Sequence, residues 1–398
     1  MKGNAKISLL PYKIGLLPFV FKPLSQPTNG DDLPDFLPFS VDVDLKTGTL
    51  VQHPDAYVSR AISKAYKKGS ELSGMMDSSG IGKEYAEDFV VFLKKMLCVD
   101  TFNGFKVLEI GCGTGFLLSL LKNLGADVLG VEPGQHGQEK RFDVPIIHDF
   151  FPSTKIDGKY HLIILYGVLE HIEDPDIFLK KVSEYLLNDG KIVIAVPNCQ
   201  PYICSGDISM LLHEHWWYYT KETLYNTVTN AINTNICMSD SNFGGVLYAI
   251  TTGPLFQQAY VKDMDIHIAE TEEFCSRIQR SLNIVTQMLE DAYLKDEEIG
   301  IFVPGRAINI LSMIKSKEYL QKIRFFDDNP HLHYTYYPGF PHIIESRKDL
   351  IENPPESILI FSKTFGHKIK MELFIDLPLS KIFLWEDLFN QCDPVRDE

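Results

Sequence analysis

Apolar positions along the chain fall into two periods. Short buried-type runs recur at residues 107–110, 128–131, 146–147, 162–165 and 192–196, the pattern of strands covered on both faces of a parallel sheet. Amphipathic stretches at helical spacing lie between them, among them residues 176–186. This alternation predicts a doubly wound, parallel, Rossmann-like α/β sheet. Upstream, residues 55–68 and 85–97 read as helices, the second because Phe89, Val90, Phe92, Leu93 and Leu97 recur on one face. Residues 39–45 alternate as a strand running into the turn Lys46-Thr47-Gly48, which predicts a small β-containing lobe. The glycine-rich residues 69–82 read as a solvated linker rather than a lid. Downstream, residues 299–303 and 358–361 repeat the buried-strand pattern, so a second, smaller Rossmann-like unit is expected. The resulting division is a lobe and linker over 1–80, the main α/β domain over 81–253, a helical connector over 254–295 and a C-terminal domain over 296–398.

Length and composition bear on this picture in two ways. A chain of 398 residues with 45% apolar content suits several packed cores rather than one. A net charge of −15 disfavours a broad nucleic-acid or anionic-membrane surface, while leaving room for a local basic pocket. The seven cysteines are scattered without a C-x-x-C pair, as expected of a reducing, cytoplasmic setting. Residues 7–21 are apolar but interrupted by Pro11, Lys13 and Pro18, so neither a signal peptide nor a membrane span is expected.

Candidate chemistry concentrates where strands end. Residues 107–115 read Val-Leu-Glu-Ile-Gly-Cys-Gly-Thr-Gly, with Glu109 inside the strand and Gly111, Gly113 and Gly115 in the turn after it. Glycines there allow a tight turn and a close approach of backbone to ligand. Glu132 closes the next strand. Together these resemble motif I and the following acid of class I S-adenosylmethionine-dependent methyltransferases. The resemblance implies S-adenosylmethionine as cofactor, lying over the glycine turn with its ribose diol on Glu132. It further implies Asp149 near the adenine amino group and Tyr166 and Gly167 near the methionine end; a helix N-cap is the alternative for Asp149. Glu170 and His171, in Leu-Glu-His-Ile, are read as anchoring their loop.

Residues 211–220, Leu-Leu-His-Glu-His-Trp-Trp-Tyr-Tyr-Thr, and residues 242–248, Asn-Phe-Gly-Gly-Val-Leu-Tyr, narrow the likeness. With Pro304-Gly305-Arg306, Asp327-Asp328-Asn329-Pro330 and the turn Pro338-Gly339, they resemble the three-domain sugar C-methyltransferases, whose C-terminal domain helps hold a nucleotide-linked sugar. The resemblance implies His215 as base beside Glu214. Tyr66, Tyr85, Tyr218 and Tyr219 are candidates to stabilise an enolate, and Arg306, His213 and Asn309 to hold the substrate, with Arg306 facing its phosphates. The zinc cysteine pairs usual in that family are missing: no cysteine precedes Cys98. His213 and His215 would share one face of an extended strand, yet no third ligand is apparent and no metal is assigned. Methylation at oxygen or nitrogen of a sugar or other metabolite is the alternative activity. An inactive methyltransferase fold that binds a partner is the alternative of another class.

Overall fold

A computed structural model describes residues 11–28, 33–67, 80–134, 142–254, 264–362, 365–378 and 380–390. The first strands are β1 (Tyr12–Pro18), β2 (Phe36–Val43) and β3 (Leu50–Gln52). They pair antiparallel, and β2 turns into β3 through Gly48 at φ +76°, with the Asp44 carboxylate accepting from Thr47 N and Oγ1. Helix α1 (Ala56–Lys67) starts where Asp55 Oδ1 accepts from the N–H groups of Tyr57 and Val58, the N-terminal capping that a short polar side chain provides. Helix α2 (Gly80–Leu97) begins five residues before the expected start. Most of the expected linker, residues 68–79, lies outside the described residues.

The central sheet uses β4 (Lys106–Ile110), β5 (Asp127–Val131), β6 (Ile146–Ile147), β7 (Tyr160–Tyr166) and β8 (Leu186–Pro197), all parallel. Their order is β6-β5-β4-β7-β8, continued by β11 (Val246–Pro254) and β10 (Thr234–Asp240). The strand order therefore reverses between β4 and β7, and the crevice at their carboxyl ends is where such sheets take ligands. Val107, Leu108, Leu162, Ile163, Ile164 and Leu165 have no exposed surface, each side chain contributing roughly 1.5–3 kcal/mol on burial. Two expectations are corrected. The sheet is mixed, since β10 (Thr234–Asp240) and β11 (Val246–Pro254) run antiparallel at its edge. Helix α4 (Pro175–Ser183) stops short of 186 because Leu186 already pairs with Tyr160 as strand. Helix α3 (Phe116–Asn123) follows the glycine turn.

The strand β9 (Trp217–Tyr218) joins not the central sheet but the N-terminal one, beside β3. The 32-residue helix α5 (Met264–Lys295) leads to β12 (Ile299–Phe302), β13 (Ile323–Phe326), β14 (Ile344–Glu345), β15 (Ser357–Ile360) and β16 (Lys381–Leu384). These form a parallel sheet in the order β14-β13-β12-β15-β16, with its own reversal point between β12 and β15. Leu17, Phe39 and Leu50 of the N-terminal sheet share one core with Ile208, Leu211 and Tyr218 and with Ile301, Phe325 and Leu359 of this last sheet. The segment carrying His215 is thereby clamped where the three parts of the chain meet.

Candidate functional site

The crevice between β4 and β7 is lined by the glycine turn. Gly111, Gly113 and Gly115 have φ of +72°, +52° and +81°, a region costly for other residues. A Cβ on Gly111 would lie 2.6 Å from Val168 Cγ2, whereas one on Gly113 would meet nothing within 4 Å. The turn is packed closely behind and open in front. Glu132, at the end of β5, accepts from Gly113 N (2.9 Å) and Gly134 N (2.7 Å), which fixes both carboxylate oxygens at the strand edge with lone pairs left over for a diol. Glu109 is buried, and its Oε2 finds no hydrogen-bond partner among the described residues. Burial, and secondarily the Glu132 charge, push its pKa well above the usual carboxylate range. A turn open on one side, a fixed acid and a buried acceptor fit the expected cofactor.

The other residues expected at this edge divide between side chain and backbone. Asp149 follows β6 in a loop with no helix after it, so the N-cap alternative falls. Its oxygens accept from Ser153 Oγ (2.8 Å) and Phe150 N (2.9 Å), and these bonds lower its pKa. Tyr166 ends β7 with its ring edge-on to Phe89 at 5.1 Å. Its hydroxyl belongs to a buried group with Tyr248, Tyr85 and Asp88, Asp88 accepting from Tyr248 (3.0 Å) and Asn242 N (3.1 Å). What Tyr166 and Gly167 (φ +64°) present to the crevice is backbone.

The loop after β7 carries the second half of the site. Three hydrogen bonds join it to the segment around His215: Trp216 N to Glu170 O (2.7 Å), His171 Nδ1 to Glu214 O (3.1 Å) and Trp217 Nε1 to Ile172 O (2.8 Å). The backbone N–H of Gln52 donates to Trp216 O (2.9 Å), tying the same segment to β3. His171 and His215 rings stand edge to face at 4.7 Å. One ligand-type atom from each of Glu170, His171 and His215 lies within 4.8 Å of the others. Burial lowers the His171 pKa to about 4 and holds His215 well below neutrality, the latter helped by His171 and by the Arg306 guanidinium. Burial raises Glu170 to about 8.

Several expected roles do not survive. Residues 213–214 form a turn, not a strand, so His213 and His215 do not share a face. His213 is buried between Phe39 (5.0 Å) and Phe19 (5.7 Å), with Nε2 against Leu17 O; it packs the N-terminal lobe instead of facing a substrate. Asn309 is fully buried and its Nδ2 donates to Ile208 O (2.7 Å) and Leu211 O (2.8 Å), a clamp rather than a ligand. Tyr219 is buried in the central core and stacks on Trp217, too deep to donate to an acceptor. The Tyr218 hydroxyl lies 3.1 Å from Leu212 O and 3.2 Å from His215 O, and that of Tyr85 donates to Gly244 O (3.1 Å). The Tyr66 side chain lies outside the described residues. Burial raises the pKa of Tyr202 and of Tyr337, and the positive charge of Arg306, exposed after β12, partly offsets that rise in both while adding to the lowering of His215.

The Asn309 clamp has a measurable consequence. Asn309→Ala removes the donor to Leu211 O, while Ile208 O keeps its bond from Leu211 N (3.0 Å), and is expected to cost about 1–3 kcal/mol, read as a lower urea midpoint at unchanged m-value. A raised KM with stability intact would instead return Asn309 to the substrate. Sequence reasoning missed the company His215 keeps: Glu170 and His171 stand next to one another, but no spacing signals that a residue 44 positions on joins them. The Leu-Glu-His-Ile motif at a strand end was the signal that could have been followed.

Residues 60–231 match the family model of a methyltransferase domain. Similar curated proteins include the ubiquinone biosynthesis O-methyltransferases of Bradyrhizobium diazoefficiens, 28% identical over 119 residues covering 27% of this chain and 46% of that protein, and of Pelagibacter ubique, 31% identical over 105 residues covering 23% and 42%. The chain thus spans less than half the length of these relatives. Among solved structures, the plantazolicin methyltransferase BpumL, crystallised with a monoazolic desmethyl analogue and SAH, is 16% identical with a TM-score of 0.34, covering 42% of this chain and 82% of that one. With the glycine turn, the fixed acid Glu132 and the strand order around the β4–β7 crevice, the family match makes residues 60–231 a class I S-adenosylmethionine-dependent methyltransferase domain.

Proposed function

We propose that the whole chain is an S-adenosylmethionine-dependent methyltransferase acting on a nucleotide-linked ketosugar, on the carbon next to the ketone, with His215 as base. The observation that carries this reading is the meeting of three things at one place: the cofactor edge after β7, the neutral imidazole of His215 and the cation Arg306 from the C-terminal domain. The cofactor supplies an electrophilic methyl group. Glu132, the backbone at Gly113 and the backbone of Tyr166 and Gly167 would hold it, while Glu109 closes the site from behind.

Carbon methylation beside a ketone needs the α-proton removed. A neutral imidazole is the form a base requires, and burial, His171 and Arg306 all keep His215 neutral in the free protein. A phosphorylated acceptor docking on Arg306 offsets that positive charge, so the basicity of His215 rises when substrate arrives. The concavity of about 420 Å³ between the N-terminal lobe and Trp216 is lined by Asp42, Asp44 and Glu173; those carboxylates repel phosphate, which supports placing the nucleotide at Arg306. Arg306→Ala is therefore expected to raise the KM for the nucleotide-sugar by about tenfold or more, with the cofactor Kd unchanged. An unchanged KM would remove the phosphate role.

The names of the curated relatives favour one second reading, methylation of a hydroxyl, in which His215 takes the hydroxyl proton. Transfer from methyl-labelled S-adenosylmethionine into a panel of nucleotide-linked ketosugars, with NMR of the product, separates the two. Carbon-bound label supports the first, oxygen- or nitrogen-bound label the second, and failure to bind the cofactor in calorimetry would sink both in favour of an inactive binding fold.

A further inference from the structure

We propose that Glu170, His171 and His215 form a binding site for a first-row divalent cation of the zinc type. Two imidazoles and one carboxylate bring one donor atom each within 4.8 Å of one another, in a part of the molecule that is largely closed to solvent. This is a three-ligand set with a position left over, the composition typical of sites that also engage a small ligand, and its nitrogen content selects zinc, cobalt or iron over magnesium and calcium. Bonds of 2.0–2.2 Å would put neighbouring donors about 3.3 Å apart, so side-chain rotations of about an ångström complete the set.

Two independent features point to an ion. Glu170 is 2% exposed and its Oε2 has no hydrogen-bond partner among the described residues. An acceptor buried without a donor costs about 1–3 kcal/mol, a cost that a bound cation removes. The second feature is the orientation of His171. Its Nδ1 faces Glu214 O at 3.1 Å, and a carbonyl only accepts, so Nδ1 carries the proton and Nε2 keeps its lone pair. Donation of the second ring nitrogen to a carbonyl is the outer support usual for metal-bound histidines. The Glu214 carboxylate, 4.0 Å from the same ring, adds negative charge beside the set. The backbone bond from Trp216 N to Glu170 O holds the two contributing segments in register.

The binding does not depend on carbon methylation. It touches that reading at one point: an ion bound to His215 occupies the lone pair that the proposed base uses, so filling the site lowers the methyl-transfer rate. The test uses the full chain after EDTA treatment and dialysis, titrated with Zn²⁺ by calorimetry and with Co²⁺ by visible absorption. One equivalent of Zn²⁺ and intense d–d bands from Co²⁺ are expected. Glu170→Gln and His171→Asn should each weaken Zn²⁺ binding by roughly tenfold or more, while His367→Asn, an exposed control on the C-terminal domain, changes nothing. Glu170→Gln keeps the side-chain shape and removes a buried carboxyl, so it decides the matter should His171→Asn unfold. No stoichiometric binding, or Zn²⁺ binding unchanged in Glu170→Gln, would overturn the site. A methyl-transfer rate unaffected by a filled site would leave it standing and remove His215 as base.

Discussion

His215→Asn is expected to lower kcat by about a hundredfold to ten-thousandfold while leaving the affinity for S-adenosylmethionine unchanged. The size follows from removing a positioned base, and the split between kcat and cofactor binding follows from the architecture. His215 is held by the N-terminal sheet through Gln52 and by residues 170–172 of the loop after β7, whereas the cofactor would be held by the turn after β4, the end of β5 and the backbone of Tyr166 and Gly167. Asparagine preserves a polar side chain of similar reach, and the backbone bonds of the segment do not involve the ring. Steady-state kinetics with calorimetry of cofactor binding checks this, and a kcat within threefold of the parent would remove the base assignment.

Glu132→Ala is expected to do the opposite. Each hydrogen bond to a charged group contributes about 1.5–3 kcal/mol, and the proposed role of this carboxylate is to accept from two ribose hydroxyls, so the cofactor Kd should rise at least about a hundredfold. Part of the loss arises in the turn itself, because Gly113 N and Gly134 N both donate to Glu132 and lose that anchor. Glu132→Gln separates the contributions: it retains one acceptor and should weaken binding by about tenfold. Calorimetric Kd values alongside thermal unfolding decide it, since equal affinity for the alanine variant would place the ribose elsewhere.

Much of the fold was legible because the strands that build the crevice are short apolar runs ended by glycine or acid. Residues 107–110 become Lys106–Ile110, 128–131 become Asp127–Val131, and the acid at 132 sits where the sheet edge needs it. The antiparallel strands escaped notice because Thr234–Asp240 is an edge strand with polar and half-buried residues interspersed, so neither period dominates. The His-Glu-His stretch misled for a related reason. Alternation implies a shared face only in extended chain, and the turn at residues 213–214 sends His213 into the lobe and His215 toward His171. Asn309 is a substrate candidate only through the family resemblance; the helix it enters packs on Ile208 and Leu211, and its amide serves that contact. Tertiary partners distant in sequence settled each of these cases.

The central claim, an enolate formed with His215 as base, is tested most directly by proton exchange. A nucleotide-linked ketosugar incubated in deuterium oxide with the protein and S-adenosylhomocysteine is followed by NMR at the carbon next to the ketone. The account predicts protein-dependent loss of the α-proton signal that disappears in His215→Asn. Exchange at an equal rate in the variant, or methyl transfer to the same sugar with the α-proton retained, would contradict it.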